Sequence, residues 1–259
     1  MFETLKKADV VALRDYLRER EGEMLALTRA LVEAESPSGD EEGSRAVVGL
    51  LAEAARAIDV VSSVELIESP GYGVHLRLFA FKDAPEAASG SIFLLGHTDT
   101  VHPRGSLQER PVRIEEGRAY GPGIFDMKAN CALALEALRA CSTLKLMPRR
   151  PVVLLLACDE ETGSMTGRAL VEAETRRSAS VLVLEPPATG GRVKTARKGT
   201  GMYTLEAHGV AAHAGLEPEK GASAILEMAR QIERLHAMND GASGITVTVG
   251  VVRGGTRSN

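Results

Sequence analysis

Ser91-Ile92-Phe93-Leu94-Leu95-Gly96-His97-Thr98-Asp99 is a short, almost continuous apolar run that ends abruptly in polar residues of metal-ligand type. Two more runs have this form. Val152-Val153-Leu154-Leu155-Leu156-Ala157 leads through Cys158 into Asp159-Glu160-Glu161, and Val181-Leu182-Val183-Leu184 leads into Glu185-Pro186. Continuous apolar runs of this length, separated by helical patterns, are what a sheet buried on both faces requires. The intervening helices are predicted over Asp126 to Leu144 and Ser164 to Glu174. The class is α/β.

Outward from this centre, the chain opens with helical patterns over Ala12 to Arg20 and Met24 to Glu35. The second places Leu25, Leu27, Leu31 and Val32 on one apolar face. Ser36-Pro37-Ser38-Gly39-Asp40 reads as a turn and Glu42 to Ala57 as an amphipathic helix. Val60 to Ile67 and Val74 to Phe81 read as strands around the turn-rich Ser69-Pro70-Gly71-Tyr72-Gly73. The connection from Thr98 to Phe125 has little periodicity, and loops that long in a compact domain are usually functional or disordered. A second unit is predicted from Gly199: a strand over Gly201 to His208, a helix over Gly221 to His236, and an alternating strand over Ile245 to Val252. That is half of an α+β sandwich.

Composition removes several function classes. The 259 residues are 44% hydrophobic but only 3% aromatic, with no Trp, so the core must be built from Leu, Val, Ile and Ala. A formal net charge of -4 and the lack of a basic stripe or aromatic platform argue against a nucleic-acid partner. No stretch approaches the roughly 18 apolar residues of a membrane span. Cys131, Cys141 and Cys158 do not read as a disulfide framework, and a cytoplasmic location is the simple expectation.

In open α/β sheets the carboxyl edge of the strands is where binding crevices form. His97 and Asp99, two apart in extended backbone, point the same way, so Asp99 can hold the free ring nitrogen of a metal-bound His97. Glu160 and Glu161 are adjacent and cannot share an orientation in extended backbone, which favours one carboxylate on a metal and one turned to the attacking water. Asp126 follows Gly121-Pro122-Gly123-Ile124-Phe125 and is predicted to begin a helix, from which it could cap that helix or reach across the crevice. Read singly, each group also has a bland role: Asp126 as an N-cap, the glutamates as a solvated strand end, His97 as a satisfied buried histidine. Together, His97, Asp126, Glu161 and Glu185 offer the nitrogen and oxygen ligands that zinc accepts. Oxygen-rich sites sharing a bridging carboxylate often hold two metals about 4 Å apart.

The same residues carry a resemblance. Gly96-His97-Thr98-Asp99-Thr100-Val101, the segment from Arg118 to Lys128, Asp159-Glu160-Glu161-Thr162-Gly163-Ser164, Glu185-Pro186, Ala212-His213-Ala214-Gly215 and Ser258-Asn259 together resemble the zinc-dependent M20 metallopeptidases. The resemblance runs from about Met24 onward. Pro111-Val112-Arg113-Ile114-Glu115 looks like the glutamate carboxypeptidase branch, which removes carboxy-terminal glutamate from folates and acylated glutamates.

This resemblance implies a catalytic domain over residues 1–198, with a mostly parallel central sheet, and an inserted α+β dimerisation domain whose first half is residues 199–259. Asp126 would bridge two zincs. His97 and Glu185 would complete the protein ligands of one metal, and Glu161 would bind the other. Glu160 would be the general base and Asp99 would orient His97. His213 would reach into a partner subunit's site in a homodimer, and Asn259 would lie near the substrate carboxylate. The substrate would be a small peptide or N-acyl amino acid. Set against the family, the sequence stops before a final metal histidine and a carboxylate-binding arginine. An inactive truncated homologue is therefore the non-enzymatic alternative. Dipeptidases, tripeptidases, acylamino-acid deacylases and desuccinylases share these motifs and are the alternatives in substrate. The family's pair of glycines after Asp-Met-Lys is here Ala129-Asn130. Phe125 is expected to pack behind Asp126, and Lys128 to be solvated or paired with a carboxylate, with a direct chemical role as the alternative.

Overall fold

The three apolar runs lie side by side in one five-stranded sheet of the computed structural model, which describes residues 6–256. The chain divides into two units between Lys194 and Thr195. The first opens with helices α1 (Lys7–Glu19), α2 (Glu21–Glu33) and α3 (Glu41–Arg56). Asp40 caps α3 by accepting from the Gly43 amide at 2.9 Å. Strands β1 (Val61–Ser69), β2 (Gly73–Ala80) and β3 (Ser91–His97) follow. The long connection after β3 holds a short helix α4 (Ser106–Glu109) and a small hairpin of β4 (Arg113–Glu115) and β5 (Arg118–Tyr120). Helix α5 (Ala129–Thr143), strand β6 (Val152–Ala157), helix α6 (Arg168–Arg177) and strand β7 (Ser178–Val183) complete the unit.

The strand order is β1-β2-β6-β3-β7. β3 runs parallel to both β6 and β7, whereas β1–β2 and β2–β6 are antiparallel. The sheet is therefore mixed, because β1 and β2 are joined by a turn of three residues and such a hairpin can only be antiparallel. β6, at the centre, buries all six side chains. Its alternation divides the core. Val152, Leu154 and Leu156 pack with Leu76 and Leu78 of β2 against Val47, Leu51 and Ala55 of α3 and Leu135 and Leu138 of α5. Val153 and Leu155 face the other way, with Phe93, toward Leu170 and Val171 of α6. This is the sheet covered on both faces that the apolar runs predicted.

The third run departs from that picture. β7 is the edge strand, and Leu182 and Val183 are each 54% exposed. An apolar run does not encode its position in the sheet, and among the described residues β7 has a strand on one side only. Two helices also start later than predicted. The backbone at Asp126 and Met127 is non-helical, the peptide between them is cis, and α5 begins at Ala129. Ser164 has φ +55° and α6 begins at Arg168. Glu160 and Glu161 lie on a 3₁₀ turn (Glu160–Thr162) rather than in extended backbone.

In the second unit the predicted helix is present as α7 (Ala224–His236), capped by the Ser223 side chain, which accepts from the Leu226 amide. The two strands predicted there, over Gly201 to His208 and Ile245 to Val252, are not formed. A strand exists through its ladder. Among the described residues the unit has only isolated bridges, Val210 with Ala222 and Asp240 with Ile245. All three cysteines are free, with Cys131 and Cys158 buried.

Candidate metal centre

Register brings the polar strand ends to one place. His97, the last residue of β3, pairs with Ala157 of β6, while Leu95 pairs with Val183 of β7. Glu185 is two residues past Val183 and therefore level with His97, and Asp159 to Glu161 follow immediately beyond Ala157. Because the three strands run the same way, their carboxyl ends share one edge of the sheet.

His97 is 1% exposed and held from every side. Its backbone amide donates to Met127 Sδ at 3.3 Å, and the Cys131 thiol donates to its carbonyl at 3.2 Å. Gly96 makes room for this grip, since a Cβ there would lie 2.5 Å from Met127 Cε. On the ring, Nδ1 lies 3.0 Å from the Asp99 carbonyl oxygen and 3.4 Å from Asp99 Oδ1. Nε2 faces the crevice, 3.1 Å from Asp126 Oδ1 and 3.5 Å from Glu185 Oε1. Asp99 thus fixes which nitrogen is left to meet a ligand, the role that outer carboxylates commonly play for a metal-bound histidine.

Asp99 is buried and does more than face His97. Its carboxylate accepts from Ser38 Oγ at 2.7 Å and from the backbone amides of Glu160 and Glu161, each at 3.1 Å. Burial alone would raise its pKa, but His97, Ser38 and the Glu161 amide outweigh burial and hold it below the usual carboxylate range. Ser38 arrives through a strand-like contact of the 36–38 turn with residues 98–100. The Ser38 amide donates to the Thr100 carbonyl and the Thr100 amide to the Ser36 carbonyl. In sequence that turn carried no sign of the site.

Asp126 caps no helix; its side chain is 52% exposed and turned toward His97. One potential ligand atom from each of His97, Asp126 and Glu161 lies within 4.8 Å of the others, and the same holds for His97, Glu160 and Glu185. Burial works against a charged imidazole, but Asp99, Glu185 and Glu160 outweigh it and push His97 up to about 9. Burial raises Glu161 and Glu185, and the neighbouring Asp126 charge adds to each shift. The cluster therefore concentrates more negative charge than one imidazolium offsets, and a cation relieves it. The donors are one imidazole nitrogen and carboxylate oxygens, a set zinc accepts. Zinc bonds of about 2.0–2.2 Å at the tetrahedral angle put two ligands of one ion about 3.3–3.6 Å apart, so atoms at the 4.8 Å limit would close by about 1.5 Å at most.

Other predicted residues fall elsewhere. His213 lies in the second unit, exposed, with Nδ1 accepting from the Gly215 amide at 3.1 Å. Asn259 lies outside the described residues. Lys128 is not solvated, and among the described residues it is paired with no carboxylate. It is buried, its Nζ donates to the Leu31 carbonyl at 2.8 Å in the last turn of α2, and burial lowers its pKa to about 8. Helix ends leave carbonyls unpaired and favour cations, which accounts for the contact. Phe125 does not pack behind Asp126, since it is 68% exposed.

The profile of Peptidase family M20/M25/M40 matches residues 93–254. Carboxypeptidase G2 of Pseudomonas sp. (strain RS-16) is 31% identical over 170 residues, covering 65% of this chain and 41% of that protein. Acetylornithine deacetylase of Myxococcus xanthus is 32% identical over 197 residues, covering 71% of this chain and 50% of that protein. The chain thus spans half or less of the length of these curated relatives. A tripeptidase structure from Staphylococcus aureus superposes with a TM-score of 0.62 at 18% identity, covering 91% of this chain and 62% of that one, which is a likeness of fold. No helix among the described residues is long and apolar enough to cross a membrane.

Proposed function

Because the chain belongs to peptidase family M20/M25/M40, we propose that it is the metal-bearing part of a zinc peptidase that hydrolyses an amide bond and releases a carboxy-terminal amino acid, with glutamate as the preferred residue. The observation that carries this reading is the convergence of His97, Asp126, Glu160, Glu161 and Glu185 at the carboxyl ends of three parallel strands. His97, Asp126, Glu161 and Glu185 would hold zinc, and Asp126 would serve both ions of a two-zinc site. Bound zinc supplies Lewis-acid polarisation of the scissile carbonyl and a lowered pKa for water.

The chain's own residues do the remaining work. Asp99 keeps the His97 ring oriented and, through the amides of Glu160 and Glu161, keeps the 3₁₀ turn against the ring. Glu160 adjoins the ligand Glu161 on the 3₁₀ turn and groups with His97 and Glu185, whereas Glu161 groups with His97 and Asp126. Glu160 accepts a proton from the attacking water and returns it to the departing amine. His213 supports the oxyanion in the site of a partner subunit, which makes the functional unit a homodimer. The three free cysteines suit a cytoplasmic enzyme.

Glutamate preference is supported by the likeness of Pro111 to Glu115, which includes β4, to the glutamate carboxypeptidase branch, and by the similarity to carboxypeptidase G2. A second reading, N-acyl-amino-acid deacylation, is supported by the acetylornithine deacetylase similarity, which covers more of this chain. Hydrolysis of a folate-like acylglutamate and of N-acetylornithine by the full-length protein, assayed side by side, separates them. Release of glutamate from the first at a kcat/KM at least tenfold higher is expected, and the opposite order establishes the deacylase.

A further inference from the structure

Behind the metal-facing residues, His75, Cys158 and Asp159 bring another set of potential ligand atoms within 4.8 Å of one another, all buried. Their hydrogen bonds give the group a different role. Asp159 Oδ2 accepts from the Thr166 amide at 2.6 Å, from Thr166 Oγ1 at 2.8 Å and from the Gly167 amide at 3.2 Å. One carboxylate oxygen thereby closes the loop that carries Glu160 and Glu161. The Asp159 carbonyl adds bonds from the Ser164 amide at 2.8 Å and Thr162 Oγ1 at 3.1 Å.

The proton directions agree throughout the group. Thr166 Oγ1 spends its proton on Asp159, so it accepts from Ser69 Oγ at 2.6 Å and from His75 Nε2 at 3.0 Å. His75 Nδ1 accepts from the Cys158 amide at 3.1 Å, which places the ring proton on Nε2, as that direction requires. Burial lowers the pKa of His75, in keeping with a neutral ring. Burial pushes the Cys158 thiol up to about 11, so in the metal-free group it keeps its proton. Both nitrogens of the ring are engaged, and the group is a relay of hydrogen bonds rather than a vacant set of ligands.

Two details tie the relay to the site. A Cβ on Gly167 would lie 2.9 Å from Asp159 Oδ1 and 3.5 Å from His75 Cε1, so the carboxylate and ring sit directly on the loop backbone. Asp159 Oδ1 is buried and has no hydrogen-bond partner among the described residues. An asparagine could offer the same three donors an oxygen without leaving a charged atom unpaired. The charge instead strengthens the three bonds that shape the loop. At its other face the loop is held by Asp99, through the amides of Glu160 and Glu161.

We propose that Asp159, Thr166 and His75 form a buried clasp that positions the Glu160–Glu161 turn against His97, with Thr166 and His75 as positioning residues for the metal-facing carboxylates. The inference rests on reading that cluster as a metal centre. Its test is zinc affinity by chelator competition and the visible spectrum of the cobalt-loaded full chain, with thermal unfolding recorded alongside. Thr166→Val keeps the branched shape and removes the hydroxyl. It is expected to weaken zinc binding about tenfold or more, within the range typical of outer-shell partners, and to shift the cobalt absorption. Thr166→Ser should restore both to within about twofold, a rescue that a merely structural role does not require. A folded Thr166→Val chain with unchanged affinity and spectrum overturns the clasp. If that variant does not fold, His75→Gln is measured and read in the same way. A cobalt–thiolate absorption band that disappears in Cys158→Ala would make the cluster a metal site in its own right and also overturns the proposal. A wild-type chain that takes up neither zinc nor cobalt sinks the reading of the main site, and this inference with it.

Discussion

His97 and Glu185 meet across two neighbouring parallel strands, with Nε2 of the one 3.5 Å from Oε1 of the other, although 88 positions apart in the sequence. The contact follows from register: Leu95 pairs with Val183, so the residues two further on in each chain segment stand level at the sheet edge. Asp126 enters the same space from a non-helical turn, 3.1 Å from the same ring nitrogen.

Glu160→Gln in the full-length protein tests the base. Glutamine keeps the shape but cannot accept the proton, so zinc content and folding should be preserved while turnover falls about 10²-fold or more. Glu160 lies as close to His97 and Glu185 as a ligand would, and zinc content is therefore measured with the rate. Loss of zinc would make Glu160 a ligand, and full turnover with zinc bound would place the base elsewhere.

Zinc uptake should release a proton from His97 at pH 7. The metal-free folded ring is pushed from 6.5 up to about 9, so it is protonated at neutral pH, whereas a metal needs it neutral. Apparent affinity should rise with pH until about 9 and then level. The sign for the metal-free chain is opposite. The folded state holds the proton more tightly than the unfolded state, so this contribution to stability is complete below about 6.5 and is lost as pH rises through 9. Calorimetry in buffers of different ionisation enthalpy counts the protons, and zero release at pH 7 contradicts the assignment.

Asp99→Asn should weaken zinc about 10- to 100-fold, because an amide group would face the donors that the carboxylate now accepts. Ser38→Ala removes one of those donors and leaves the rest, so its effect should be under tenfold. Equal affinities for Asp99→Asn and the wild type would show that Asp99 does not orient the ring.

Mixing a His213→Ala chain with a Glu160→Gln chain should regenerate part of the activity if His213 serves the partner's site. Subunit exchange is verified separately by mass. No recovery among exchanged dimers would assign His213 to its own subunit or to no catalytic role.

Phe125 exposes its ring immediately before Asp126. Phe125→Ala should raise KM for an aroyl-glutamate substrate severalfold while changing KM for N-acetylglutamate less than twofold. Equal changes for both substrates would count against contact of the ring with the acyl group.

The α/β class, the three parallel runs and the acidic residues at their carboxyl ends were legible in the sequence, because continuous apolar patterns mark strands, although they gave the burial of β3 and β6 and not the exposed edge position of β7. Adjacent residues such as Glu160 and Glu161 could be assigned to the sheet edge, but not to the 3₁₀ turn that carries them. The strands expected in the second unit were legible only as propensity, and propensity without a ladder partner does not make a strand.

What the sequence determined by itself is therefore which residue types stand at which strand ends, since side-chain chemistry and hydrophobic period are local properties. Tertiary structure alone decided that Ser38 holds Asp99 from 61 residues away, that Lys128 closes the end of α2 across 97 residues, and that Asp126 leaves the helix to face His97. The physical reason is common to all three. A buried polar atom takes whichever partner packing brings within hydrogen-bond reach, and packing is set by strands and helices far apart in the chain.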